Sequence, residues 1–243
     1  MQFTFELVPI LVLAIFQSVF GIGLLLFGTP FFLFIEYSFS ETLILLLPIS
    51  ITISFMQVIF SKEHNLNFIK NLNFYTLPFV IIFLMFSLHF EEIINFKLFV
   101  AVMLIISSLV MIMRERFIYF RSKIINKQSI FLSLIGVIHG LTNMGGSFLS
   151  IYSFIINDGN KVIARSTISY GYLAMGIIQF CSMLIYNQSV FNDIRLIYIL
   201  LAVLIYFPSQ YVFNYLYFIN FYFVISYTAL IFGFFVILNN FFM

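Results

Sequence analysis

Gly136-Val137-Ile138-His139-Gly140-Leu141-Thr142-Asn143-Met144-Gly145-Gly146-Ser147 interrupts an apolar run that extends over residues 129–156. Gly145 and Gly146 remove side chains where a backbone must bend or be closely approached. Thr142, Asn143 and Ser147 can satisfy the carbonyls and amides that a helix break frees, which lipid cannot do. A break also exposes the N-terminus of a half-helix, which carries roughly half a positive charge and attracts anions. The plainer reading is that the glycines only let helices pack closely.

Outward from this stretch, composition sets the solvent. The chain is 63% hydrophobic and 8% charged, with a mean hydropathy of +1.14. Soluble chains carry about a quarter charged residues, so 243 residues of this kind need lipid around them. Residues 1–6 hold no Lys or Arg and lead into a long apolar run, which reads as a retained span rather than a cleaved leader. The lone Cys181 has no second thiol to pair with and reads as a buried, small apolar side chain. A net charge of +2 gives no footing for a nucleic acid partner.

Apolar runs bounded by charge fall at 7–34, 42–60, 74–90, 96–113, 129–156, 162–186, 196–213 and 221–242. They predict an all-α, polytopic membrane protein of about eight transmembrane helices, since only helices and closed barrels span lipid. The first and fifth runs exceed a crossing and contain glycine interruptions, so each is read as a broken or tilted helix. Arg114, Arg116, Arg121, Lys123 and Lys127 place the connection after the fourth run inside, joined by Lys62, Lys70 and Arg195 when eight spans alternate. Lys97, Lys161 and Arg165 then lie outside, and both termini are cytoplasmic. That assignment holds only if the first and fifth runs cross rather than turn back.

A shift of 122 positions lays 16–23 over 138–145, superimposing Gly21 and Gly23 on the second interruption. It also carries Gln57 onto Gln179 and Ser54 onto Gly176. The chain therefore reads as two four-helix repeats, 1–121 and 122–243, each with a broken first helix. Four spans per half would give both copies one orientation. Transporters duplicate bundles and bind substrate between the copies, so the candidate site gathers Gly21, Gly23, Gln57, His139, Thr142, Asn143, Gly145, Gly146, Arg165 and Gln179.

Each candidate has a competing structural reading. Arg165 lies about a turn into its span, where snorkelling to headgroups accounts for it as well as a ligand does. His139 lies deeper and suits either a substrate or proton role or a neutral, hydrogen-bonded histidine. Gln57 and Gln179 suit an oxyanion or an interhelical hydrogen bond. Pro30 and Pro48 mark loosened backbone. No metal-ligand cluster, phosphate loop with lysine or nucleophile set falls at one membrane depth, so the sequence points away from an enzyme, and no cofactor or metal is expected. A non-transporting membrane scaffold or assembly protein, and a channel, stay open as rivals to a carrier.

Residues 136–150, followed by Arg165-Ser166-Thr167-Ile168-Ser169 and Gln179, resemble the second repeat of the sulfite exporter TauE/SafE family of membrane permeases. Gly21-Ile22-Gly23, Gly28-Thr29-Pro30 and Leu45-Leu46-Leu47-Pro48-Ile49-Ser50 with Gln57 resemble its first repeat. The resemblance implies transport of a small, sulfur-containing anion such as sulfite or a sulfonate across the bacterial inner membrane by alternating access. A coupling proton or ion is left open as a partner beside the anion and the bilayer. Leu24 and Leu25 replace glycines expected after Gly23, which leaves more of the site to the second repeat.

Overall fold

A computed structural model describes residues 2–61, 65–113, 116–117, 119–158, 160–187, 194–216 and 221–242. Lys62 and Arg114, used above for orientation, lie outside the described residues. Among those described, all regular structure is helical: α1 (Gln2–Phe20), α2 (Leu24–Phe34), α3 (Phe39–Ile59), α4 (Leu66–Tyr75), α5 (Leu77–His89), α6 (Phe96–Ile112), α7 (Arg121–Asn126), α8 (Gln128–Thr142), α9 (Gly146–Ile156), α10 (Lys161–Tyr186), α11 (Leu196–Leu216) and α12 (Phe221–Phe242). Four stretches are long and apolar enough to cross a membrane: Phe39–Ile59, Leu66–His89, Val162–Tyr186 and Leu196–Phe213. The third apolar run begins earlier than position 74, because Asn65 caps α4 by accepting from the Phe68 amide at 3.0 Å.

The exterior suits lipid. Val8, Val12, Ile82, Leu200, Leu204 and Ile231 face outward, while Gln17, Ser50, Ser54, Gln57, His139, Asn143 and Gln179 are buried. Cys181 is exposed, not buried; a thiol on an apolar outer face needs no partner.

The first and fifth apolar runs do not cross as single helices. Gly21 and Gly23 take left-handed backbone (φ 78° and 134°), and α2 doubles back along α1. Phe16 and Phe27 stack edge-to-face at 6.0 Å, and Gly28 lies against Leu13 and Leu46. At the open end the Tyr37 hydroxyl donates to Glu6. Burial, and then the nearby Glu41 carboxylate, holds the Tyr37 phenol above its ordinary pKa, so it stays a donor. Glu6 is fully buried, also accepts from the Tyr198 hydroxyl at 2.9 Å and pairs with Arg195, which pins α1 to the start of α11.

The fifth run repeats the device. Asn143 takes the left-handed conformation (φ 61°), Gly145 packs against His139 and the Ile135 carbonyl, and the Tyr152 hydroxyl of α9 reaches Gln128 Oε1 at the start of α8, 3.4 Å away. With 19 and 11 residues in the first hairpin, its arms are about 28 and 16 Å long at about 1.5 Å per residue. The two hairpins start from opposite ends of the bundle. Glu6 and Tyr37 meet Arg195 and Tyr198 at one end; Asp158 pairs with Arg121, and Asn71 donates to Gln128 at 3.0 Å, at the other.

Helix boundaries recur at the 122-residue shift. Phe20, Leu24, Phe34 and Phe39 bound helices, and so do Thr142, Gly146, Ile156 and Lys161. The caps Ser38 and Asn160 correspond. So do the left-handed residues Gly21 with Asn143 and Glu36 with Asp158. Packing follows suit: α3 crosses α10, α6 packs on α12, and the long arm of each hairpin lies on a helix of the other half, α1 on α11 and α8 on α5. Gly136 and Gly140 make the last contact close, facing the Thr76 and Val80 carbonyls, where any Cβ would intrude.

Candidate functional site

The two hairpin tips sit at different depths along α10. Gly21 lies against Arg165 and Ile168, whereas Gly146 abuts Tyr172 and Gln179 reaches His139 further along that helix. The breaks therefore do not meet at one level, as a single midplane site would require. Among the described residues, α10 and a hydrogen bond from Asn143 Nδ2 to Thr29 Oγ1 at 3.1 Å tie them, and α2 also packs on α9.

At the first tip, Gln57 Nε2 donates to the Gln17 and Ser18 carbonyls at 2.9 and 3.0 Å, and its Oε1 accepts from Ser169 at 2.9 Å. These carbonyls lie in the last turn of α1, where helix carbonyls run short of backbone donors; that of Gln17 also accepts from the Gly21 amide at 2.8 Å. Gln17 in turn donates to Ser54 Oγ at 3.0 Å and Ser50 O at 3.1 Å, and accepts from Ser50 Oγ at 3.1 Å. Gln57 thus spends both ends of its amide on the protein.

Arg165 stands beside this network. It donates to the Ser18 carbonyl and to Gln210 Oε1 at 2.9 Å, and its guanidinium carbon lies 4.1 Å from the Phe213 ring centre. Among the described residues no carboxylate pairs with it, in contrast to Arg121, Lys97 and Arg195, and its Nε has no hydrogen-bond partner. It faces a cavity of about 640 Å³ bordered by Gln57, Ser169, Tyr206 and Gln210. The side chain is directed to a helix end and a cavity.

The second tip is the less satisfied one. Gln179 Nε2 reaches the His139 carbonyl at 3.5 Å, the counterpart at the same shift of the Gln57–Gln17 bond. Thr142 donates to Ile138 O at 2.7 Å and accepts from the Met144 amide at 3.2 Å. Among the described residues, both ring nitrogens of His139, Gln179 Oε1, Asn143 Oδ1 and the Tyr172 hydroxyl are buried with no partner at hydrogen-bond length. The His139 and Gln179 side chains are neighbours, and the His139 and Tyr172 rings meet edge-to-face at 6.3 Å.

Of the residues picked from sequence, Gly21, Gly23, Gln57 and Arg165 gather at the first tip, and His139, Thr142, Asn143, Gly145, Gly146 and Gln179 at the second. Sequence reading passed over Tyr172, Gln210 and Glu6. Tyr172 was legible in principle, seven residues and two turns before Gln179 on α10. Comparison of the chain with family models, curated proteins and solved structures found no significant match.

Proposed function

We propose that the chain is a small-anion permease built from two inverted hairpin units. The observation that carries this is Arg165, a half-buried cation without a carboxylate partner among the described residues, facing a cavity at the first hairpin tip. An arginine in such a setting is the natural partner of an oxyanion, and the volume suits a small ligand. The resemblance to the TauE/SafE permeases implies a sulfur-containing anion such as sulfite or a sulfonate.

The recurrence of boundaries, caps and left-handed residues at one shift supports the duplication. If each hairpin enters and leaves on one side, every half contributes three crossings. An odd number inverts the second copy relative to the first, an arrangement that supports alternating access. This replaces eight alternating spans in parallel copies, because the first and fifth runs turn back. Orientation changes with it. Lys161 and Arg165 join Lys70, Arg116, Arg121, Lys123 and Lys127 on one side, leaving Lys97 and Arg195 on the other. The positive-inside rule then makes the first side cytoplasmic and both termini external.

Thermal stability of the detergent-purified protein against sulfite, thiosulfate, taurine and sulfoacetate, with chloride as control, tests the reading. A ligand of the folded state stabilises by mass action. A saturable shift with one sulfur anion, lost in Arg165→Gln and weakened in Arg165→Lys, is expected. Equal shifts in the wild type and both variants would remove Arg165 from the site.

A further inference from the structure

The 122-residue shift pairs a closed network with an open one. Gln17, Ser50, Ser54 and Gln57 of the first half occupy the positions of His139, Tyr172, Gly176 and Gln179 in the second. The first set is fully hydrogen-bonded. In the second, a glycine replaces Ser54, a tyrosine and a histidine replace Ser50 and Gln17, and the His139 ring nitrogens, the Tyr172 hydroxyl and Gln179 Oε1 have no hydrogen-bond partner among the described residues. Buried polar atoms without partners are rare and call for an occupant.

The chemistry of the open set identifies that occupant. Gln179 commits its NH2 to the His139 carbonyl and Asn143 commits its own to Thr29, so both amides leave their oxygens over. A neutral imidazole supplies one donor and one acceptor, and the tyrosine one hydroxyl. Counting the second N–H of each amide, donors match acceptors at rest; an added proton turns the imidazole's acceptor nitrogen into a second donor for the oxygens left over. Around His139, the next residue Gly140 lies against Val80, Phe83 and Leu84 of α5, Gly145 packs on the His139 Cβ just before α9, and Tyr172 and Gln179 of α10 are neighbours of the imidazole. Tyr172 is the only titratable group among them, and none carries a charge. A lone charge is costly to hold in such a site, so protonation of the imidazole has to be coupled to another event in the molecule.

We propose that His139 is the coupling site of the permease, taking up one proton with each anion bound at Arg165. The inference rests on the permease reading. Communication between the two sites has a physical route: α10 carries Arg165 against the first tip and Tyr172 and Gln179 against the second, and the Asn143–Thr29 bond joins the hairpins.

The test uses the full-length protein in liposomes with the membrane potential clamped, thiosulfate as the anion and a lumenal pH dye. Thiosulfate does not itself carry protons near neutral pH, so lumenal acidification reports the protein. One-for-one coupling predicts that an inward gradient of one pH unit raises accumulation by up to about tenfold, with acidification. Both responses should vanish in His139→Gln. Wild-type uptake indifferent to the gradient would overturn the coupling and leave the permease reading standing. A full gradient response in His139→Gln would overturn the assignment to this residue. Failure of thiosulfate, sulfite, taurine and sulfoacetate all to move would overturn the permease reading, and this inference with it. Should His139→Gln not fold, ¹⁵N-histidine resonances of the wild type, of which there are three, give the answer: the buried imidazole is expected neutral alone and protonated with bound thiosulfate. A ring that stays neutral would contradict the proposal.

Discussion

Asn143 donates from its side-chain amide to the Thr29 hydroxyl at 3.1 Å, so the tip of the second hairpin is fastened to the return arm of the first. The same residue closes its own hairpin in a left-handed conformation, φ 61°. Asn143→Ala should therefore lose two things, a buried hydrogen bond worth about 0.5–1.5 kcal/mol and tolerance of left-handed backbone worth about 1–2 kcal/mol. Asn143→Gly should lose only the bond. Melting in detergent should rank wild type above the glycine variant and the glycine variant above alanine; a reversed order of the two variants would contradict this account of the tip.

Gly146 begins α9 against the Tyr172 ring, and a methyl group there would collide with the phenol. Gly146→Ala should cost about 1–3 kcal/mol by overpacking. Adding Tyr172→Ala should recover part of that loss, which a double-mutant melting cycle measures. Additive losses would mean that the two residues do not meet.

The two glutamines, equivalent by the 122-residue shift, should behave differently when changed to leucine. Gln57 makes three good hydrogen bonds that close the end of α1, so Gln57→Leu should destabilise by about 1–3 kcal/mol. Gln179 makes one long bond, so Gln179→Leu should leave melting nearly unchanged while impairing transport. Equal melting temperatures for the two variants would undo the distinction between a structural and a functional glutamine.

Topology is open to thiol labelling on a Cys181→Ser background. With turned-back hairpins, Asp158 shares a side with Arg121, its ion-pair partner, and Tyr186, at the far end of α10, lies opposite. In intact cells a membrane-impermeant thiol reagent should modify Tyr186→Cys and spare Asp158→Cys. Eight alternating spans predict the reverse pattern.

Much of this architecture was written in the chain. Glycine and asparagine at positions 21, 23, 143 and 145 marked both breaks, and the 122-residue shift matched boundaries that the structure repeats. Whether the chain crosses or turns back at those breaks was not legible, because an apolar run has the same composition in either direction. The decision lies in contacts distant in sequence, such as Glu6 with Tyr37 and Gln128 with Tyr152. The site was legible in its residues but not in its division. Gln57 and Gln179 read alike until the structure placed the donors of one on a helix end. Tyr172 passed as one of many aromatics, and only its place two turns before Gln179 on α10 sets it apart in the sequence.

A protein that carries a small anion through a site formed at Arg165 must move that anion into sealed liposomes. Radiolabelled thiosulfate and sulfite should accumulate with saturable kinetics in vesicles holding the wild-type protein. That uptake should fall at least tenfold in Arg165→Gln with normal insertion. Vesicles whose uptake matches protein-free controls for every sulfur anion tried would contradict the account and favour a membrane scaffold in which the glycines only pack helices.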